Sequence, residues 1–213
     1  MAKYVLTSNF ESGFPPEIAE MFGRLITERG RFAFVASEFK RMPKKTDKYF
    51  SIIVGMFADA GITFADARVV DGRLSPEQAR QTIEDADVVW LAGGDTLAQF
   101  GYFVEFGLVD TLRGFDGVLI GMSAGSINMA KTAIITSDPP HTYELHIYDG
   151  IGCVDFSVEP HFEPNNVPHT LFELSDKHTI YGLCDDGAIV VDGGKREFIG
   201  EVYAIESGTL RRV

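Results

Sequence analysis

Short, almost unbroken apolar runs recur through the first 130 residues, each followed by a stretch with helical periodicity. The runs lie at residues 3–7, 31–36, 67–70, 87–92 and 117–120. Helices are expected between them over residues 15–29, where Ile18, Met21, Phe22, Leu25 and Ile26 share a face, and over 44–60, stopped by Gly61. Ser75-Pro76-Glu77-Gln78 opens a third helix, with serine at the cap and proline in the first turn. Residues 96–112 read as a fourth. Strands with no polar alternation have no solvated face, and strands joined through helices run parallel. The chain is therefore an α/β protein with a mostly parallel sheet and helices on both faces. In such sheets, sites lie at the carboxyl ends of the strands.

After Ala130 the pattern changes. Strands are expected at residues 133–136, 152–158, 179–183, 188–191 and 198–205, with one helix near 167–177. This gives a β-rich C-terminal third. No linker, repeat or low-complexity segment interrupts the chain, so residues 1–213 are expected to form one domain.

The net charge of −12 argues against nucleic acid and anionic membrane as partners, since both need a cationic surface. No apolar run approaches the roughly 20 residues that cross a bilayer. The N-terminus lacks the apolar core of a signal peptide, so a cytoplasmic location is expected. Cys153 and Cys184 are far apart and each lies in an apolar stretch, which points to two buried free thiols. A monomer or homodimer is the expected assembly.

The chemistry begins at Gly121-Met122-Ser123-Ala124-Gly125, between an apolar strand and a helix-compatible stretch. Glycines two before and two after a serine give the backbone room for a sharp strand-to-helix turn, which exposes the hydroxyl as a nucleophile. The five-residue pattern alone is weak; its place in the chain strengthens it. A serine hydroxyl needs a base. Of His141, His146, His161, His169 and His178, His161 is the best placed, because it follows Asp155-Phe156-Ser157-Val158-Glu159-Pro160 at the end of a strand. An acidic partner for the imidazole comes from Asp185-Asp186 or from Asp138, each after an apolar run, and chain order does not choose between them. An oxyanion needs two N–H donors. Ala124 follows the nucleophile, and Gly94 of the Gly93-Gly94 pair follows the Trp90-Leu91-Ala92 strand. Gly-x-Gly-x-x-Gly, Gly-Lys-Ser/Thr and His-Glu-x-x-His are all absent, so neither a nucleotide nor a metal is expected, and no cofactor.

Gly93-Gly94-Asp95-Thr96, Gly121-Met122-Ser123-Ala124-Gly125-Ser126 and Glu159-Pro160-His161-Phe162, in that order, resemble the dipeptidase E (aspartyl dipeptidase) group of serine peptidases and the related cyanophycinases. The resemblance spans most of the chain. It implies a flavodoxin-like three-layer sandwich similar to class I glutamine amidotransferases. It also implies Ser123 as nucleophile, His161 as base, and Gly94 and Ala124 as oxyanion donors. The third member is implied at Asp138 or Asp186. The implied substrate is a dipeptide with an N-terminal aspartate, or a related acidic or β-aspartyl peptide, with Asp95 and Asn165 beside it. The chain carries Asp95 where the family often has asparagine, and Asn165-Asn166-Val167-Pro168-His169-Thr170 lacks an arginine where the family tends to offer a basic residue. An acidic side chain buried beside Asp95 with no cation would be strongly disfavoured. An α/β-hydrolase-type esterase and a non-catalytic peptide-binding relative are the competing readings.

Overall fold

The computed structural model describes residues 2–136 and 144–213. The first half alternates as the apolar runs require: β1 (Lys3–Thr7), α1 (Pro16–Leu25), β2 (Arg31–Val35), α2 (Pro43–Asp59), β3 (Asp66–Val70), α3 (Pro76–Glu84), β4 (Val88–Leu91), α4 (Thr96–Glu105), α5 (Val109–Arg113), β5 (Val118–Met122) and α6 (Ala124–Met129). Then come β6 (Thr132–Ile135), β7 (His146–Asp149), β8 (Ser157–Pro160), α7 (His169–Leu174), β9 (Ile180–Leu183), β10 (Ala188–Asp192), β11 (Lys195–Ile199), β12 (Val202–Glu206) and β13 (Thr209–Arg212).

The main sheet has the order β11-β10-β1-β5-β4-β2-β3. Its five central and outer strands, β1, β5, β4, β2 and β3, are parallel, while β10 and β11 add antiparallel at one edge. Alternate residues of each strand enter different layers. Phe32, Phe34, Val88, Trp90 and Ile120 pack with Phe22 of α1 and Phe57 of α2. Ala33, Val35, Val89, Leu91 and Leu119 pack with Ile83, Phe103 and Leu112 of α3 to α5. Both faces are dry, which is why the strands carry no polar alternation. Full burial of an aromatic such as Phe22 or Phe57 stabilises by roughly 1.5–3 kcal/mol.

The helix expected over 96–112 is two helices. Gly107, at φ +65°, ends α4, and the Leu108 N–H reaches back to the Phe103 carbonyl at 2.8 Å. Glycine at that left-handed position is a helix stop. The strand expected over 198–205 is likewise divided, by Gly200 at φ +74°, into β11 and β12. Gly193-Gly194, both at positive φ, make the tight turn between β10 and β11. Ser75 caps α3 in a reciprocal box with Gln78, as its spacing predicts.

After α6 the chain leaves the main sheet. It forms the β6–β7 pair and lays down β8 and β9, returns through β10 and β11 beside β1, and then adds β12 and β13 to complete a second sheet of order β13-β12-β9-β8. The loop from β9 to β10 therefore passes the carboxyl end of β1. Cys153 and Cys184 are free, and burial pushes the Cys153 thiol up to about 12. Among the described residues, no helix is long and apolar enough to cross a membrane.

Candidate active site

Ser123 stands between β5 and α6 at φ 50°, ψ −110°, a conformation that non-glycine residues rarely adopt. Surrounding bonds hold it there. Its N–H donates to the Thr7 carbonyl at 3.0 Å, while buried Ser126 accepts from Thr7 N–H at 2.9 Å and places its hydroxyl within reach of the Thr7 and Gly121 carbonyls. Glycine is required on both sides. A Cβ on Gly121 would lie 2.6 Å from Ser126 N, and one on Gly125 would strike the Leu91 carbonyl oxygen and sit 2.7 Å from Leu91 Cβ. Gly125→Ala is thus expected to destabilise by about 1–3 kcal/mol through overpacking between α6 and β4. Urea unfolding reads this directly; an unchanged midpoint would contradict the tight approach.

The Gly93-Gly94 corner closes over the serine. A Cβ on Gly93 would lie 3.3 Å from Ser123 Cβ. Gly94, at φ +146°, has no room for a side chain beneath Ser37. Just before it, the Ala92 carbonyl accepts from Gln99 Nε2 at 2.7 Å. Gln99 Oε1 in turn accepts from Asn128, whose Oδ1 accepts from the Tyr148 hydroxyl at 2.6 Å. This buried chain ties the corner to α4 and α6. Among the described residues, the N–H groups of Gly94 and Ala124 have no acceptor.

His161 follows β8 at φ 55°. Its Nε2 lies 2.9 Å from Ser123 Oγ and its Nδ1 lies 3.0 Å from Asp185 Oδ1. Strand β8 runs parallel to β9, with Pro160 opposite Leu183, so both strands deliver their next residues to the same edge. Asp185 and Asp186 occupy the centre of a turn closed by the Gly187 N–H on the Cys184 carbonyl at 3.0 Å. Asp186 takes the positive-φ position, 64°, and donates its N–H to the Asn9 carbonyl. Asp185, one residue earlier, carries its carboxylate to the imidazole. Of the Asp185-Asp186 pair, the structure brings Asp185 to the imidazole and not Asp186, the one implied by the resemblance, because neighbouring residues of a tight turn project differently. Asp138 lies outside the described residues.

A cavity of about 300 Å³ opens beside Ser123 and His161. Phe34, Ala36 and Ala92 supply its buried apolar wall, and Met42, Lys45 and Tyr49 reach it from the start of α2. Arg73 braces that end of α2 by bridging Asp47 at 2.7 Å and buried Asp71 at 2.8 Å. Glu38 also lines the cavity. Slight burial would raise its pKa, yet hydrogen bonds from the Tyr102 hydroxyl and from the Lys40 and Arg41 N–H groups outweigh this and hold the carboxyl below its ordinary range. Neither Asp95 nor Asn165 lines the cavity. Asp95 Oδ1 accepts from Ala98 N–H at 2.9 Å as the N-cap of α4, and Asn165 is exposed in the turn after His161. Ser8, Glu38 and Lys45 had no motif to mark them. The one signal was the polar run Thr7-Ser8-Asn9 straight after an apolar strand.

The chain is 29% identical over 185 residues to Peptidase E of Nostoc sp. (strain PCC 7120), an alignment covering 85% of this chain and 69% of that protein. The crystal structure of a peptidase from an acI-B1 actinobacterium superposes with a TM-score of 0.74 at 17% identity, covering 100% of this chain and 94% of the other. That of a candidate peptidase E protein from Listeria monocytogenes EGD-e gives 0.68 at 19%, covering 93% and 98%. At these identities the two structures speak for the fold. Residues 13–199 match the model of Peptidase family S51, and the chain belongs to that family of peptidases.

Proposed function

We propose that this protein is a serine-type exopeptidase that hydrolyses short peptides, dipeptides among them, through an acyl-enzyme on Ser123. The observation that carries the reading is the unbroken line from Ser123 Oγ to His161 Nε2, at 2.9 Å, and from His161 Nδ1 to Asp185, at 3.0 Å. An ionised Asp185 can only accept, so it favours the tautomer with the proton on Nδ1 and the Nε2 lone pair facing the serine. His161 takes the hydroxyl proton as Oγ bonds to the scissile carbonyl carbon. The carbonyl oxygen becomes an oxyanion that can accept hydrogen bonds from the Gly94 and Ala124 N–H groups. The imidazolium then protonates the departing amine, and water, activated by the same base, releases the acyl group.

The substrate reading is an N-terminal acidic residue, aspartate first. Glu38 offers an anion to the α-ammonium, and Lys45 offers a cation to the side-chain carboxylate on the same cavity. Lys45 supplies the basic group missing from residues 165–170. A second reading rests on Met42 and Tyr49, 45% and 48% exposed at the mouth, which with Phe34 suit a bulky apolar side chain.

A dipeptide library varied at its first residue and read by mass spectrometry tests both. On the acidic reading, Lys45→Met lowers kcat/KM for aspartyl dipeptides about tenfold, the ~1.5 kcal/mol of one charge-assisted hydrogen bond, and leaves alanyl dipeptides unchanged. Preference for phenylalanyl or leucyl dipeptides, with no effect of Lys45→Met, supports the apolar reading. Cleavage of acyl esters alone would mark an esterase. Inertness to every active-site serine reagent would mark a non-catalytic relative.

A further inference from the structure

We infer that Ser8 is a positioning residue that holds His161 and Asp185 in register with Ser123. The inference rests on the serine-peptidase reading above and adds a residue to it. Ser8 follows β1 directly and is completely buried. Its hydroxyl donates to Asp185 Oδ1 at 2.6 Å and accepts from the His161 backbone N–H at 2.7 Å. Both directions are forced: a carboxylate cannot donate and a backbone N–H cannot accept.

The neighbouring hydroxyls behave differently. Among the described residues, Thr7 Oγ1 and Ser126 Oγ reach only backbone groups of Thr7 and Gly121, so they brace the scaffold. Ser8 instead spends its one proton and a lone pair on the two residues that line up behind Ser123. Each of those residues needs restraint. His161 sits at φ 55°, where its N–H leaves the sheet ladder, and Ser8 accepts it there. Asp185 has a side chain 39% exposed, free to swing toward water without a second anchor. Asp185 Oδ1 receives the Ser8 hydroxyl and the His161 imidazole on one oxygen, which fixes the carboxylate rotamer against the ring. Because β1 also accepts the Ser123 N–H through the Thr7 carbonyl, a single short segment sets the relative positions of all three side chains.

The test is the rate at which a fluorophosphonate labels Ser123, together with kcat and KM on the best dipeptide. Ser8→Ala should slow labelling and kcat by a common factor of about 10–100, the range for losing a partner that orients a functional side chain. KM should change by less than about threefold, since Ser8 touches no substrate. In an Asp185→Asn background, Ser8→Ala should cost less than about threefold more, because the residue it orients is already gone. Ser8→Cys, nearly the same shape with a weak donor, should also slow labelling. It decides the matter if the alanine variant does not fold. Wild-type labelling rates in a folded Ser8 variant would overturn the inference, as would a full additional loss in the Asp185→Asn background. The underlying reading fails separately: a Ser123→Ala protein that hydrolyses peptides within a hundredfold of the wild-type rate would remove it whatever Ser8 does.

Discussion

Ser123→Ala abolishes peptide hydrolysis, with kcat falling on the order of 10⁶-fold, the size of loss seen when a serine hydrolase loses its nucleophile. Without Oγ no acyl-enzyme can form. His161 could still activate a water, and the Gly94 and Ala124 N–H groups could still meet a developing oxyanion, so a small residual rate is expected. The same substitution stops labelling by a fluorophosphonate. The fold should survive, because among the described residues the Ser123 side chain bonds to His161 alone, while its strained backbone is held through the Thr7 carbonyl and the two flanking glycines. Relief of side-chain crowding at φ 50° does not enter, since alanine keeps the Cβ. The measurement is steady-state kinetics with intact-mass detection of the label, alongside a thermal midpoint. Labelling that persists at another residue, or activity within a hundredfold of wild type, would remove Ser123 from the mechanism.

Asp185→Asn should lower kcat by about 10⁴, and Asp186→Asn by less than about tenfold, although the two residues are neighbours. An ionised Asp185 holds the Nδ1 proton of His161 and stabilises the imidazolium that forms when Ser123 is deprotonated. An amide in its place can donate to Nδ1 and leave the proton on Nε2, where the base has no lone pair for the serine. The distance supports the assignment: Asp185 Oδ1 is 3.0 Å from Nδ1, while Asp186 donates its backbone N–H to the Asn9 carbonyl. Asp138→Asn belongs in the same series and should behave like Asp186→Asn. KM should stay within about threefold for all three variants; neither Asp185 nor Asp186 lines the substrate cavity. A large loss at Asp186 or Asp138 with a mild effect at Asp185 would reverse the assignment.

The architecture and the serine turn follow from short-range rules. Apolar runs such as Val88–Leu91 must be buried on both faces, and they are, with Trp90 in one layer and Val89 and Leu91 in the other. Gly121 and Gly125 are needed by contacts within a few residues of Ser123 and with the adjoining strand, so the pattern around the serine could be read locally. Pro160-His161 was recognisable for the same reason: it ends a strand at the edge where parallel sheets gather their sites. Boundaries failed where one glycine changed the backbone, as Gly107 did between α4 and α5.

The choice of Asp185 over Asp186, the use of Asp95 as a helix cap, and the gathering of Ser8, Glu38 and Lys45 around the serine were outside the reach of local pattern. Asp185 faces His161 because β9 lies parallel to β8 and its following turn opens toward β1, a matter of register between strands far apart in the chain. Lys45 reaches the cavity because β2 lies next to β4, which lies next to β5, and α2 starts on that same edge. Periodicity and turn chemistry act over about four residues and dictate which segments become strands, helices and corners. Which side chains then meet depends on strand order and on the packing of helices against the sheet. Those are settled by burying the whole apolar surface at once, and no single segment encodes them.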